Sequence, residues 1–527
     1  MKKFYLLMLS GLFLVSCSDD ESSGGPMTPE VPDPVEYTSG SADFSNYVAV
    51  GNSVTAGFSD AALFINGQTA SFPNMLAGNF ALAGGGEFTI PFMSDNLGGA
   101  TLGGQTILGN RLILSFASGS PTPTPVSGTG STEISNTLSG PFNNMGVPGA
   151  KSYHLAAPGY GNVAGVAAGL ANPYFARFAS SASATVIGDA VAQGPSFFTL
   201  WIGSNDVLSY ALEGGAGTDQ TGNLDPATYG GTDITDPNVF ASVFNGLLQA
   251  LTANGAKGAV ANIPDVTKLP YFTTVPFAPL DPTNPDFGPQ IPALNVNFGQ
   301  LNQVFAFLGV PERSIVFATD AASALVIRDE SLTDISAQIT SALINFGLDP
   351  GTATVTGLLY GQARQATADD LIVFTSQTII GEPNEEAFAM LQGLGVPAEQ
   401  AGLLSVNGIT YPLADEWVLT PEEQQSVLTA IAAYNQTIEA LATQYNLALV
   451  DIEAFYDTVF LDGIKLKDGS TVTADYATGG GFSLDGVHPS PRGSALLANE
   501  FILAINGKYG SNLPGVEPLE FTGLYIK

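Results

Sequence analysis

The stretch Ser196-Phe197-Phe198-Thr199-Leu200-Trp201-Ile202-Gly203-Ser204-Asn205-Asp206 decides the fold. A short apolar run of this kind reads as a buried strand, and it runs straight into a glycine followed by polar residues. Tyr47-Val48-Ala49-Val50 repeats the pattern, running into Gly51-Asn52-Ser53. Gly258-Ala259-Val260-Ala261-Asn262-Ile263 and Leu447-Ala448-Leu449-Val450 are two further short apolar runs, closed by Pro264 and Asp451. Helices are expected between them. Phe240, Val243, Phe244, Leu247, Leu248 and Leu251 share one face of a helix beginning near Asn238 and stopped by Gly255. Thr420-Pro421-Glu422-Glu423 has the residues of a capping box and opens a helix with Val427, Leu428, Ile431, Tyr434, Ile438 and Leu441 on its apolar face. Alternation of helix and buried strand predicts an α/β fold, a three-layer α/β/α domain around a mainly parallel sheet. Sites in such sheets gather beyond the carboxyl ends of the strands.

Composition narrows the function. The chain has 527 residues and a net charge of −33, with only 15 Lys and Arg. No basic stripe is available to neutralise phosphates, so nucleic acid is excluded as a partner. Charged residues make up 12 % of the chain, about half the usual share of roughly 25 %. With 45 % hydrophobic residues the chain is suited to a large core rather than to disorder.

The amino terminus carries its own signal. Lys2 and Lys3 precede an apolar run over 4–15, too short to span a bilayer, which needs about 20 residues. It ends in Leu14-Val15-Ser16-Cys17, and Cys17 is the only cysteine. These residues resemble a bacterial lipobox, which implies a leader over 1–17 and lipidation of Cys17 as the membrane anchor. Ser18-Asp19-Asp20-Glu21 resembles the surface-export signal of Bacteroidota lipoproteins. An outer-membrane, cell-surface lipoprotein is therefore expected; a plain solvated acidic linker is the other reading of that cluster. Residues 18–42, rich in Ser, Gly, Pro and acid, are expected to be a flexible tether, with the folded domain over 43–527.

Only His154 and His488 offer a neutral-pH imidazole. His488 lies in Asp485-Gly486-Val487-His488-Pro489, where an acid three residues earlier can fold back and orient the ring. Ser53 stands just past a strand, between Gly51 and Gly57. Asn205 at another strand end can aim an amide N–H at a developing oxyanion. A turn serine, a surface Asp-x-x-His turn and an Asx turn are the bland readings of the three.

Together they resemble the SGNH/GDSL hydrolase family. Gly51-Asn52-Ser53-Val54-Thr55-Ala56-Gly57 is similar to its nucleophile block, with Asn52 where Asp is commoner. Asn144-Met145-Gly146-Val147-Pro148-Gly149 is similar to its second block, Gly203-Ser204-Asn205-Asp206 to its third, and Asp485-Gly486-Val487-His488-Pro489 to its fourth. The resemblance implies a serine esterase or lipase acting on acyl esters. Ser53 would be the nucleophile, His488 the base and Asp485 its orienter. The N–H groups of Ser53 and Gly149 and the Asn205 amide would form the oxyanion hole. No cofactor or metal is implied. His154 is expected to be structural, Asp206 to fix its own loop, and Asp451 to be a weaker rival to Asp485.

Insertions are expected at about 58–142 and 264–420. In the first, Phe64, Phe72, Phe88, Phe92 and Ile113 either line an acyl groove or pack a subdomain of their own. In the second, residues 327–346 show helical spacing at Leu332, Ile335, Ile339 and Leu343 and are a candidate cover for the site. Two other functions stay open. A carbohydrate O-acetyl esterase would normally present aromatic platforms, and the chain has only Trp201 and Trp417 beside 17 Tyr. A silent ligand-binding lipoprotein is the other.

Overall fold

Every strand expected from an apolar run forms, and one more joins them. β1 (Tyr47–Gly51), β2 (Asn144–Gly146), β3 (Phe197–Trp201), β4 (Lys257–Ala261) and β5 (Ala448–Val450) pair in the order β5-β4-β3-β1-β2, all parallel. The computed structural model describes residues 35–116 and 121–526. The expected leader over 1–17, the expected lipidation site Cys17 and residues 18–34 lie outside them. Of the two units into which the chain divides, 1–36 contributes only the exposed Val35 and Glu36; Tyr37–Lys527 holds everything below. Thr38 and Ser41, assigned by sequence to the tether, hydrogen bond through their N–H groups to Asn512 Oδ1 and Tyr509 O.

Six helices frame the sheet: α1 (Ser53–Ala56), α2 (Phe72–Ala81), α3 (Asn205–Leu212), α4 (Pro237–Thr252), α5 (Pro421–Gln444) and α6 (Pro491–Tyr509). Helices α2 and α6 cover one face, where Phe72 stacks on Phe501 at 4.6 Å and Trp201 of β3 lies 5.8 Å from Phe72. On the other face α4 packs on α5, with Phe240 stacked on Tyr434 at 4.3 Å. The result is a three-layer α/β/α domain.

Capping chemistry sets the helix starts. Asp236 Oδ1 accepts from the N–H groups of Asn238 and Val239, and Pro237 takes the first helical position of α4. At α5 the Thr420 N–H and hydroxyl both donate to Glu423, at 2.7 and 2.8 Å. Leu428, expected on its apolar face, is 37 % exposed; Ala430 and Ala442 complete the buried stripe. Phe240→Ala should cost about 3–5 kcal/mol in a urea titration, because it empties a stacked aromatic site between two helices.

Strands β1 and β3 run level, Tyr47 opposite Phe197 through Gly51 opposite Trp201. From β1 the chain goes to β2 on one side; β3, β4 and β5 follow on the other. The reversal leaves a crevice beyond the ends of β1 and β3, and both Ser53 and Asn205 stand there.

The insertions behave differently from their sequence reading. Phe72 is 1 % exposed in the main core, and Phe88 packs on Tyr47 at 5.1 Å. Phe64 is buried against Tyr525 and Arg111. These three are core residues, while Phe92 is 40 % exposed and Ile113 is partly buried in a two-stranded sheet. Residues 327–346 do not form one helix. Ile327 belongs to a short strand, Val326–Arg328, and the helix is Ser336–Asn345. Its Ile339 and Leu343 are buried with Phe298 and Tyr360 in a second core spanning residues 275–418.

Candidate active site

Asn52 follows β1 and caps α1, its Oδ1 accepting the Val54 N–H at 3.1 Å. That fixes Ser53 at the first helical position, where its own N–H has no acceptor within the helix. The fourth block approaches from a loop before α6. Ser53 Oγ lies 2.8 Å from His488 Nε2, and His488 Nδ1 lies 2.9 Å from Asp485 Oδ2. The three side chains are hydrogen-bonded in series, with Ser53 6 % exposed.

Asp485 is heavily solvated by the protein itself. Its Oδ1 accepts from the N–H groups of Val487 and His488 at 2.9 and 2.8 Å and from Ser483 Oγ at 3.0 Å. Its Oδ2 accepts from Ala61 N–H at 3.0 Å as well as facing the ring. Burial alone would raise its carboxyl; the His488 charge and these hydrogen bonds outweigh it and hold the group at about 2. The sign follows from that depression. Asp485 contributes stability that is complete above pH ~4 and is lost as pH falls toward 2, worth roughly 2 kcal/mol. Urea titrations of wild type and Asp485→Asn across that window should therefore converge at its acid end.

The second and third blocks close the other side. Val147 N–H donates to Gly51 O, and Asn144 Nδ2 donates to Thr55 O at 2.9 Å, which ties β2 to α1. Gly149 has φ +78°, a left-handed backbone suited to glycine. Asn172 Nδ2 holds the carbonyl of Pro148 at 2.8 Å. Gly203 is also left-handed, φ +121°, and a Cβ there would lie 2.6 Å from Ile263 and 2.7 Å from Phe240. Asn205 opens α3, and its Nδ2 donates to Ala150 O at 2.9 Å, leaving its second N–H for another acceptor.

Asp206 fixes a loop other than its own. Its carboxylate accepts from Ser152 N–H and Oγ at 2.8 and 2.7 Å, and full burial pushes its carboxyl up. His154 stands outside the relay. Its Nδ1 accepts from Lys151 N–H, its ring stacks on Tyr160 at 4.6 Å, and burial lowers it to about 4. Asp451 caps the helix Ile452–Leu461 through Ala454 N–H and accepts from Asn262 Nδ2. The carboxylates of Glu330, Asp415 and Glu423 come within 4.8 Å of one another, but none belongs to the relay.

Two neighbours of the relay escaped sequence reasoning. The Phe58 ring lies 4.7 Å from the His488 ring, walling one side of the imidazole. Its only sequence signal was adjacency to Gly57. Ala61, which gives its N–H to Asp485, had none.

A buried serine hydrogen-bonded to histidine, at the strand-end crevice of a three-layer α/β/α domain, is consistent with a hydrolytic Ser/His site. No family model, curated protein or solved structure matches the chain.

Proposed function

We propose that the protein is a serine esterase or lipase of the SGNH/GDSL type that hydrolyses carboxylic acyl esters. The observation that carries this reading is the hydrogen-bonded series Ser53 Oγ, His488 and Asp485, joined at 2.8 and 2.9 Å. Ser53 attacks the ester carbonyl as His488 Nε2 takes its proton. Asp485 holds the Nδ1–H and stabilises the imidazolium. The tetrahedral oxyanion is received by the N–H groups of Ser53 and Gly149 and the free amide hydrogen of Asn205. His488 then protonates the departing alcohol, and water, activated by the same ring, releases the acid from Ser53. By the same proposal Cys17 carries the lipid that anchors the enzyme to the outer membrane, facing the cell exterior; the lipobox-like leader and acidic cluster support it.

The test uses the chain from residue 18 onward. A fluorophosphonate probe should label Ser53 stoichiometrically, mapped by peptide mass spectrometry. Chromogenic esters from acetyl to palmitoyl should then define the acyl chain. Activity confined to acetyl would favour a carbohydrate O-acetyl esterase. Neither labelling nor turnover would leave the silent binding protein. Asn205→Ala should lower kcat about 10²–10³-fold with KM little changed, since the lost donor acts on the transition state.

A further inference from the structure

Residues Ser59 to Ala62 form a tight turn in which each end residue donates its N–H to the other's carbonyl, at 3.1 and 3.0 Å. The two central residues, Asp60 and Ala61, have φ +51° and +63°. Paired left-handed residues suit Asn-Gly or Asp-Gly; Ala at the second position is strained by roughly 1–2 kcal/mol. Such strain persists only where surrounding contacts over-determine it. Those contacts converge on the fourth block. Asp60 Oδ1 accepts the Leu484 N–H at 2.9 Å, Asp60 N–H donates to Ser483 Oγ at 2.9 Å, and Ala61 N–H reaches Asp485 Oδ2. Ser483 Oγ passes its own hydrogen to Asp485 Oδ1. From outside, Leu112 N–H holds the Asp60 carbonyl at 2.7 Å.

Asp60 is 2 % exposed, and its Oδ2 has no hydrogen-bond partner. A buried carboxylate with one N–H donor is costly to ionise. We propose that Asp60 is a positioning residue for the Ser53–His488–Asp485 relay: its side chain and left-handed backbone lock the Asp485 carboxylate in line with His488, and its protonation state modulates that relay. The positioning role for catalysis rests on the hydrolase reading; the geometry does not.

Burial pushes the Asp60 carboxyl up to about 7; Asp485 adds to the rise, while Leu484 N–H, Arg111 and His488 oppose it. The phenols of Tyr476 and Tyr525 complete the ionisable groups around it. Below about pH 7 the relay holds one carboxylate charge. Above it a second appears and favours imidazolium, so the proton taken from Ser53 is held more tightly on His488.

The experiment compares Asp60→Asn, Asp60→Gly and Asp60→Ala. The Asn variant keeps an acceptor for Leu484 and tolerates left-handed backbone. The Gly variant keeps only the backbone freedom, and the Ala variant keeps neither. In ¹³C-carboxyl spectra one aspartate of the wild type should titrate near pH 7, a transition that the Asn variant lacks, and above that pH the His488 ¹⁵N shifts, with only two imidazoles to assign, should differ between the two proteins. On the ester identified above, Asp60→Ala should lose about tenfold or more in kcat at unchanged KM, Asp60→Gly less, and Asp60→Asn little. An Ala variant with wild-type kcat and wild-type His488 ¹⁵N shifts overturns the proposal. So does an Asn variant that fails to fold or falls as far as Ala, which would make Asp60 a purely structural residue. If fluorophosphonate labelling fails, the hydrolase reading falls while the His488 spectra still decide the coupling.

Discussion

Ser53→Ala is expected to lower kcat by about 10⁶-fold, to the level of the uncatalysed reaction plus what binding and the oxyanion donors supply alone. The size follows from what the hydroxyl does. It forms the covalent bond, so no neighbour substitutes for it. Its hydrogen bond in the resting protein is to His488 Nε2, and the backbone around it is held independently by Asn52 and by Asn144. Alanine suits the first turn of a helix at least as well as serine. The variant should therefore unfold at the wild-type urea concentration and lose fluorophosphonate labelling. Turnover retained by Ser53→Ala would remove Ser53 from the nucleophile role.

Asp485→Asn should cost about 10⁴-fold in kcat, through hydrogen-bond polarity rather than shape. Both carboxylate oxygens are acceptors here: Oδ1 for three donors, Oδ2 for Ala61 N–H and the ring. An amide accepts at one end only. With its oxygen on the three-donor side, its NH₂ faces His488 Nδ1 and forces the proton onto Nε2, where it blocks transfer from Ser53. The same orientation sets NH₂ against Ala61 N–H, so stability falls as well. Asp451→Asn is the control. It caps a helix and should leave the pH–rate profile unchanged.

Short-range chemistry made much of this legible. Short apolar runs predicted four of the five strands, because a parallel strand covered on both faces carries little polar residue. Asp485 and His488, three apart, announced their own turn. What the sequence concealed depends on distant partners. Phe64, Phe72 and Phe88 read equally well as an acyl groove or as the packing of a separate subdomain, and their contacts with Tyr525, Phe501 and Tyr47 place them instead against the main domain. The spacing over 327–346 misled because Ile327 satisfies its backbone by pairing with Arg364 instead of continuing a helix. Ala61 occupies a left-handed conformation that its residue type disfavours, so propensity pointed away from the turn that supports Asp485.

Ser53 and His488 are separated by 435 positions in the chain. Closing so long a loop precedes any reward from the contact, which marks the relay as a late event in folding. A chain emerging during synthesis displays Ser53 long before Asp485 and His488 exist. Its hydroxyl then has no acceptor for its proton and the reactivity of any surface serine. On the proposed reading, order of synthesis thus acts as a safeguard: the capacity to attack esters arises only once the carboxyl-terminal loop has been made and packed onto the sheet.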